Sequence, residues 1–289
     1  MKDAWGRTIE YVRLSLTDAC NFCCPYCRPA EITPQSQTQL LSVDEWMTIL
    51  GAFHHIGVKA VRLTGGEPLL YPHIEELLGR IKESGWFEDI SMTTNGSLLA
   101  SRAQRLKKFG LNRVNISLDS LETEAFAACV GKAGQLESVL DGIRSAINAN
   151  FKSVKINTVL SRAFHGPTFD EWKEQLERVS GGSLTEVHSV YGFGPATYLA
   201  LPSGKAVGFI FSMSHSYCDT CNRVRLTSDG QMRLCLLRDD EADLVSLVRN
   251  GASEEALAKH IERALQRKQE RHDGIGMEQP ERPMWRIGG

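Results

Sequence analysis

"YVRLSLTDACNFCCPYC", residues 11–27, runs a β-rich segment straight into four cysteines, Cys20, Cys23, Cys24 and Cys27. Residues 11–16 read as a strand, so the thiols gather in one loop at its end. Spacing offers two overlapping sets. Cys20, Cys24 and Cys27 make a C-x3-C-x2-C, and Cys23 also makes a C-x3-C with Cys27. Three thiolates on a cubic iron–sulfur cluster leave one iron free for a substrate or cofactor, as the open position does in catalytic zinc sites. A zinc knuckle, a redox CxxC pair and a disulfide framework are the alternatives. Zinc wants a fourth ligand, and the loop contains no His.

Outward from this loop, β-rich runs alternate with amphipathic helices as far as residue 160. Further strands are expected at 59–64, 89–94, 113–118 and 153–160. A helix is expected over "VDEWMTILGAFHH", between a Ser42/Glu45 capping box and Gly57. Others are expected over "YPHIEELLGRIKES", near 98–109 and over 136–149. This alternation predicts an α/β fold with a parallel sheet and right-handed crossovers, open or curled into a barrel. After Leu160 the rhythm breaks. One helix near 169–180, Gly/Pro-containing extended stretches, two helical segments within 243–272 and an extended tail follow. The chain therefore divides into 1–165 and 166–289.

Of 289 residues, 42% are apolar and 24% charged, as in a soluble globular protein. A net charge of −2 speaks against nucleic acid or an acidic membrane surface as partner. No apolar run is long enough for a membrane span, and the N-terminus lacks a signal peptide's apolar core. A cytoplasmic location with reduced thiols is expected, which favours metal binding or catalysis for the eight cysteines. Seven fall in two sets, the second being Cys218, Cys221 and Cys235. Cys129 stands alone as a core or helix-face residue.

The motifs after successive strands carry a resemblance. "GGEP" (65–68) follows the second strand, "TTNG" (93–96) the third and "NISLDS" (115–120) the fourth, and Tyr26 precedes the third cysteine. In this order they resemble the radical S-adenosylmethionine (SAM) superfamily. The resemblance implies a partial (β/α) barrel with its site at the C-terminal strand ends. It implies a [4Fe–4S] cluster on Cys20, Cys24 and Cys27 that binds SAM and cleaves it reductively to a 5′-deoxyadenosyl radical. SAM contacts are implied at Tyr26, Gly66, Glu67, Thr94, Asn95, Ser117 and Lys155, with Asp119 at the same strand ends. Gly65 and Gly66 would let the backbone approach the SAM amino group, and Glu67 would not act as a free acid.

"SHSYCDTCNRVRLTSDGQMRLCLLRDD" (214–240) narrows the family. It resembles the C-terminal motif of the GTP 3′,8-cyclases of molybdenum cofactor biosynthesis, with the C-terminal region closing the barrel mouth. A second [4Fe–4S] cluster on Cys218, Cys221 and Cys235, facing the guanine of GTP, is implied. A zinc site completed by His215 is the plainer alternative. The implied reaction abstracts the ribose 3′ hydrogen and closes the ring onto C8, giving 3′,8-cyclo-7,8-dihydro-GTP. Arg13, Arg62, Arg223 and Arg225 fall on family positions, and their planar forks suit a triphosphate. Lys155 adds a further cation on the fifth strand. Arg223 and Arg225 would also assist reduction of the radical adduct, while Arg238 reads as surface. The terminal Gly288 and Gly289 would enter the pocket as catalytic elements. Implied partners are GTP, an electron donor such as flavodoxin, a downstream pyranopterin-forming enzyme and, as an option, a second copy of the chain.

The chain departs from the family pattern in places. Cys23 and Arg28 stand where relatives have Arg and Met, and Ala60 where they have a basic residue. More consequentially, "INTVLSRAFHGPTFDEW" (156–172) runs almost directly into the next helix. Relatives have a sixth βα unit there, with a substrate Arg and a Met-Pro loop. Its loss would leave a sheet edge at 153–160 for a dimer partner, segment 184–190 or the C-terminal part to cover. A shortened relative acting on another nucleotide or peptide, and an inert two-cluster binding protein, are the rival functions.

Overall fold

Apolar and polar residues alternate along each expected strand, so each strand has two distinct faces. In the computed structural model, β1 (Tyr11–Ser15), β2 (Ala60–Thr64), β3 (Asp89–Thr94), β4 (Arg113–Ser117) and β5 (Ser153–Asn157) lie side by side in that order, all parallel. The structure describes residues 1–27, 40–131, 135–158, 170–171, 173–174, 177, 182–187, 197–200, 206–209, 218–271, 282 and 284–287. Helices α1 (Val43–His55), α2 (Ile74–Ser84), α3 (Ala103–Lys108), α4 (Thr123–Val130) and α5 (Leu136–Asn148) lie between the strands along the chain. Val12, Leu14, Val61, Leu63, Met92, Val114 and Ile116 form one strand face and share a core with Trp46, Leu50, Phe53, Leu77, Leu78 and Val139 of the helices.

The Ser42 hydroxyl accepts from the Glu45 N–H at 3.2 Å, and the Glu45 carboxylate accepts from the Ser42 N–H at 2.7 Å. This capping box starts α1 where expected. Two helices differ from expectation. Residues 97–102 are turns, so α3 starts only at Ala103. The unforeseen α4 buries just Phe126 and Val130, too few apolar positions to show a period. Residues 170, 171, 173, 174 and 177 are helical, as expected for that region.

Beyond β5, β6 (Thr185–Val187), β7 (Thr197–Ala200) and β8 (Ala206–Phe209) form a small antiparallel sheet, and β8 runs alongside β5. The expected exposed edge is thus covered from within the chain, by its C-terminal part. Among the described residues no sixth parallel strand follows β5. β9 (Arg223–Leu226) pairs in parallel with β1, and β10 (Gln231–Arg233) and β11 (Glu241–Asp243) extend the sheet antiparallel. The second half of the chain therefore shares the main sheet with the first. Helices α6 (Val245–Arg249) and α7 (Glu254–Leu265) pack on α1. Six parallel strands with β9 at one side form the expected open, partial barrel.

Candidate active site

The loops after β1, β2 and β3 are laced together at the C-terminal ends of their strands. The Gly66 N–H donates to the Thr17 carbonyl at 2.6 Å and the Glu67 N–H to the Ala19 carbonyl at 2.8 Å. A Cβ on Gly66 would lie 2.4 Å from the Ala19 carbonyl oxygen, and Gly65 holds a φ of +154°. These glycines are needed for backbone packing against the cysteine loop, a constraint the motif alone does not reveal. The buried Glu67 carboxylate accepts from the Leu69 N–H at 3.1 Å, the Thr94 hydroxyl at 2.7 Å and the Asn95 N–H at 2.7 Å. Glu67 therefore joins loops, in keeping with the expectation that it is no free acid. Burial pushes its pKa up to about 7 against these bonds.

Cys20, Cys24 and Cys27 are half-buried, and Cys23 is exposed. Burial, then Cys27, Asp119 and Cys20, push the Cys24 thiol well up, and the Cys27 N–H donates to the Cys24 carbonyl at 2.9 Å. The Asn95 amide reaches Cys20 Sγ at 3.9 Å and Asn21 at 2.8 Å. The Tyr26 hydroxyl donates to Asp119 at 3.0 Å. Ser117 pairs with Asn157 at the ends of β4 and β5.

The inner face of the sheet carries the cations. Strand register sets Arg233, Arg225, Arg13, Arg62, Ser91 and Arg113 in one row across β10, β9, β1, β2, β3 and β4. The next row towards the strand ends holds Ser15 and Thr64, then Thr93, Asn115 and Lys155. A parallel sheet buried between helices is apolar on both faces, and this polar face departs from that pattern. Among the described residues the buried Ser15 and Thr93 hydroxyls there have no hydrogen-bond partner, which leaves them available to a ligand.

At the row's flanks, Arg113 pairs with Asp89, and Arg233 pairs with Asp239 at 3.0 Å and Glu241 at 2.7 Å. In the middle, like charges act on one another. Burial, then Arg225, with Arg62 and Arg223 beyond, hold the Arg13 guanidinium well below its ordinary value. Burial, then Arg223, bring Arg225 down to about 10. Burial, then Arg62 and Arg113, lower Lys155 to about 7, and its ammonium lies 4.7 Å from the centre of the Tyr198 ring. The Arg62 and Arg223 guanidiniums flank the Tyr11 ring at 5.5 and 5.9 Å. Arg225 also donates to the Ile287 carbonyl at 3.5 Å, which brings the buried end of the described tail to the arginine row. Gly288 and Gly289, like Arg28 and His215, lie outside the described residues.

Cys218 and Cys221 precede β9, and Cys235 follows the antiparallel β10. All three thus sit at the N-terminal end of β1 and β9, opposite the first cysteine loop. Burial would raise the Cys221 thiol, but Lys268, a hydrogen bond with the Arg223 backbone, Arg223 and Arg7 outweigh it and lower its pKa. Among the described residues no three or more His, Cys, Asp or Glu side chains stand close enough to hold a single metal ion, and the His215 of the zinc alternative lies outside them. Both sets fit three-thiolate cubic clusters: short loops, half-buried thiols and an electropositive surround at the second. Sequence reading missed Arg233, Arg7 and Lys268. Only the alternation of Arg223, Arg225 and Arg233 along extended segments hinted at the first.

The fold and cysteine loop define a radical SAM protein, and the Radical SAM superfamily model matches residues 14–180. The Molybdenum Cofactor Synthesis C model matches residues 168–274. The chain is 35% identical to a GTP 3′,8-cyclase of Desulforamulus reducens over 326 aligned positions, covering all of both chains. It is 36% identical to one of Pelotomaculum thermopropionicum, again covering all of both. The chain belongs to the GTP 3′,8-cyclase family, whose cofactors are SAM and two [4Fe–4S] clusters. With 289 residues against 326 aligned positions, at least 37 positions of the first relative have no counterpart here. That is the size of a βα unit. The crystal structure of Streptococcus suis SuiB bound to S-adenosylmethionine has the same fold, with a TM-score of 0.59 at 14% identity over 87% of this chain and 68% of that one.

Proposed function

We infer that the family's GTP 3′,8-cyclase activity, the first step of molybdenum cofactor biosynthesis, is carried here by a nucleotide lying along the inner sheet face between the two cysteine sets. The observation that carries this is the arginine row itself. It lies between thiol loops at opposite ends of the same strands, and β1 alone spans about 13 Å at roughly 3.3 Å per residue. Cys20, Cys24 and Cys27 would hold one cluster, and Cys218, Cys221 and Cys235 the other. When bound, the first cluster and SAM supply the radical that takes the ribose 3′ hydrogen.

The chain's own residues bind and orient the substrate. Arg13, Arg62, Arg223 and Arg225 take the triphosphate, and Lys155 adds a cation at the far side. Ser15, Thr93 and Ser117 offer hydroxyls near the strand ends, where Tyr26, Gly66, Glu67, Thr94 and Asn95 build the SAM pocket. Ile287 lies beside Arg225, and Gly288 and Gly289, which follow it, would serve as catalytic elements at the nucleotide. Residues 1–165 thus carry the SAM half and 166–289 the second cluster. The missing βα unit removes one expected phosphate ligand, which weakens anchoring without touching either cluster. The reducing electron would come from a flavodoxin-like donor, and a pyranopterin-forming enzyme would take the product. Among the described residues no helix is long and apolar enough to cross a membrane; the cytoplasm suits the reduced thiols.

Anaerobic reconstitution with iron and sulfide tests the two-cluster assignment. Roughly eight irons per chain are expected, four per cubic cluster. Four irons, or zinc at Cys218, Cys221 and Cys235, would overturn it.

A further inference from the structure

Lys268, just past α7, is a buried cation, 3% exposed. Its ammonium donates to the Leu234 carbonyl, one residue before Cys235. Its own carbonyl accepts from the Trp5 indole at 2.9 Å. Among the described residues it has no carboxylate partner.

Arg7 differs. Its Nε pairs with Asp3 at 2.7 Å, so its charge is balanced. Its Nη1 donates to the Cys218 carbonyl at 2.9 Å and the Glu270 carbonyl at 2.6 Å, and its Nη2 to the Gln269 carbonyl at 2.7 Å. Arg7 thus fastens the Cys218 loop to the segment that carries Lys268. A [4Fe–4S] cluster in its 2+ state on three thiolates has a net charge of about −1, by simple charge counting. A buried net charge is costly without a partner. Lys268 supplies a single positive charge that nothing described on the protein cancels.

We propose that Lys268 is the counter-ion of the cluster held by Cys218, Cys221 and Cys235 and sets its reduction potential, with the Arg7–Asp3 pair as the neutral clamp that positions the Cys218 loop. This rests on the two-cluster reading above. Cluster potentials follow local net charge and hydrogen bonding, and reduction adds an electron beside this ammonium.

The test is a redox titration of the anaerobically reconstituted full chain, followed by electron paramagnetic resonance. The signal absent from Cys235→Ser marks the C-terminal cluster. Lys268→Met should keep the unmodified chain's iron content and shift this cluster's midpoint to more negative potential, leaving the other midpoint in place. Lys268→Arg should restore it. An unchanged midpoint in Lys268→Met overturns the proposal. If Lys268→Met loses the cluster, retention in Lys268→Arg with loss in Lys268→Gln supports the charge role, and loss in Lys268→Arg as well overturns it in favour of packing. Single-cluster iron content in the unmodified chain would instead be the failure of the two-cluster reading, and would take this proposal with it.

Discussion

Arg225 stands opposite Arg13 in the parallel pairing of β9 with β1; burial, then Arg225, pulls the Arg13 guanidinium below its ordinary value, and burial, then Arg223, does so for Arg225. Neighbouring strands are about 4.8 Å apart. Two like charges at about 5 Å repel by roughly 3 kcal/mol at an effective dielectric of 20. Such a pair opposes folding and favours an anion, which is how a preorganised phosphate site behaves. Arg13→Gln should therefore leave the melting temperature of the cluster-free protein unchanged or higher. It should weaken GTP binding about 10- to 100-fold, the worth of one charge-assisted contact. Equilibrium dialysis beside thermal unfolding separates these effects. A lower melting temperature with unchanged affinity would make Arg13 structural.

Lys155, lowered to about 7 by burial, then Arg62 and Arg113, is half-neutral at pH 7 in the free protein. An incoming triphosphate favours the charged form and raises its pKa. Above pH 7, GTP binding should then take up a proton, and affinity should fall as pH rises. Calorimetry at pH 8 in buffers of different ionisation enthalpy measures that proton. Lys155→Met should abolish the uptake; its persistence there would assign the proton elsewhere.

Glu67 works through stability. Its native pKa of about 7 lies above the ordinary carboxylate value, so between about pH 4.5 and 7 the native state binds more protons than the unfolded one. Its contribution is fully present below that window and is lost as pH rises through it. Wild type minus Glu67→Gln unfolding free energy should fall across the window in urea titrations. Parallel pH profiles for the two proteins would contradict this.

The exposed Cys23 is fixed by its backbone, whose N–H donates to the Val130 carbonyl at 2.9 Å. Cys23→Ser should keep the first cluster's iron and visible absorbance. Ser at Cys20, Cys24 or Cys27 should lose roughly four irons. Loss in Cys23→Ser would exchange the cysteine assignments.

Local signals made β1 to β5, α1 and the cysteine loop legible, because alternation, the Ser42–Glu45 box and the motif order lie within short windows. The place of β9 was not legible. Its pairing with β1 joins residues more than 200 apart in sequence, and no local pattern encodes such a contact. For the same reason Arg233 was not seen to share a row with Arg13. Lys268 falls within the expected helical segments of 243–272, and only the fold brings it to Leu234. The departure after β5 was readable as a gap, but its repair by β8 depends on three short strands of no strong period.

The most direct measurement is SAM cleavage by the reconstituted protein with a low-potential reductant, with and without GTP. The account predicts that GTP accelerates 5′-deoxyadenosine formation and is converted to the 3′,8-cyclised nucleotide in matching amount. Cleavage indifferent to GTP, or cleavage with GTP recovered intact, would contradict it.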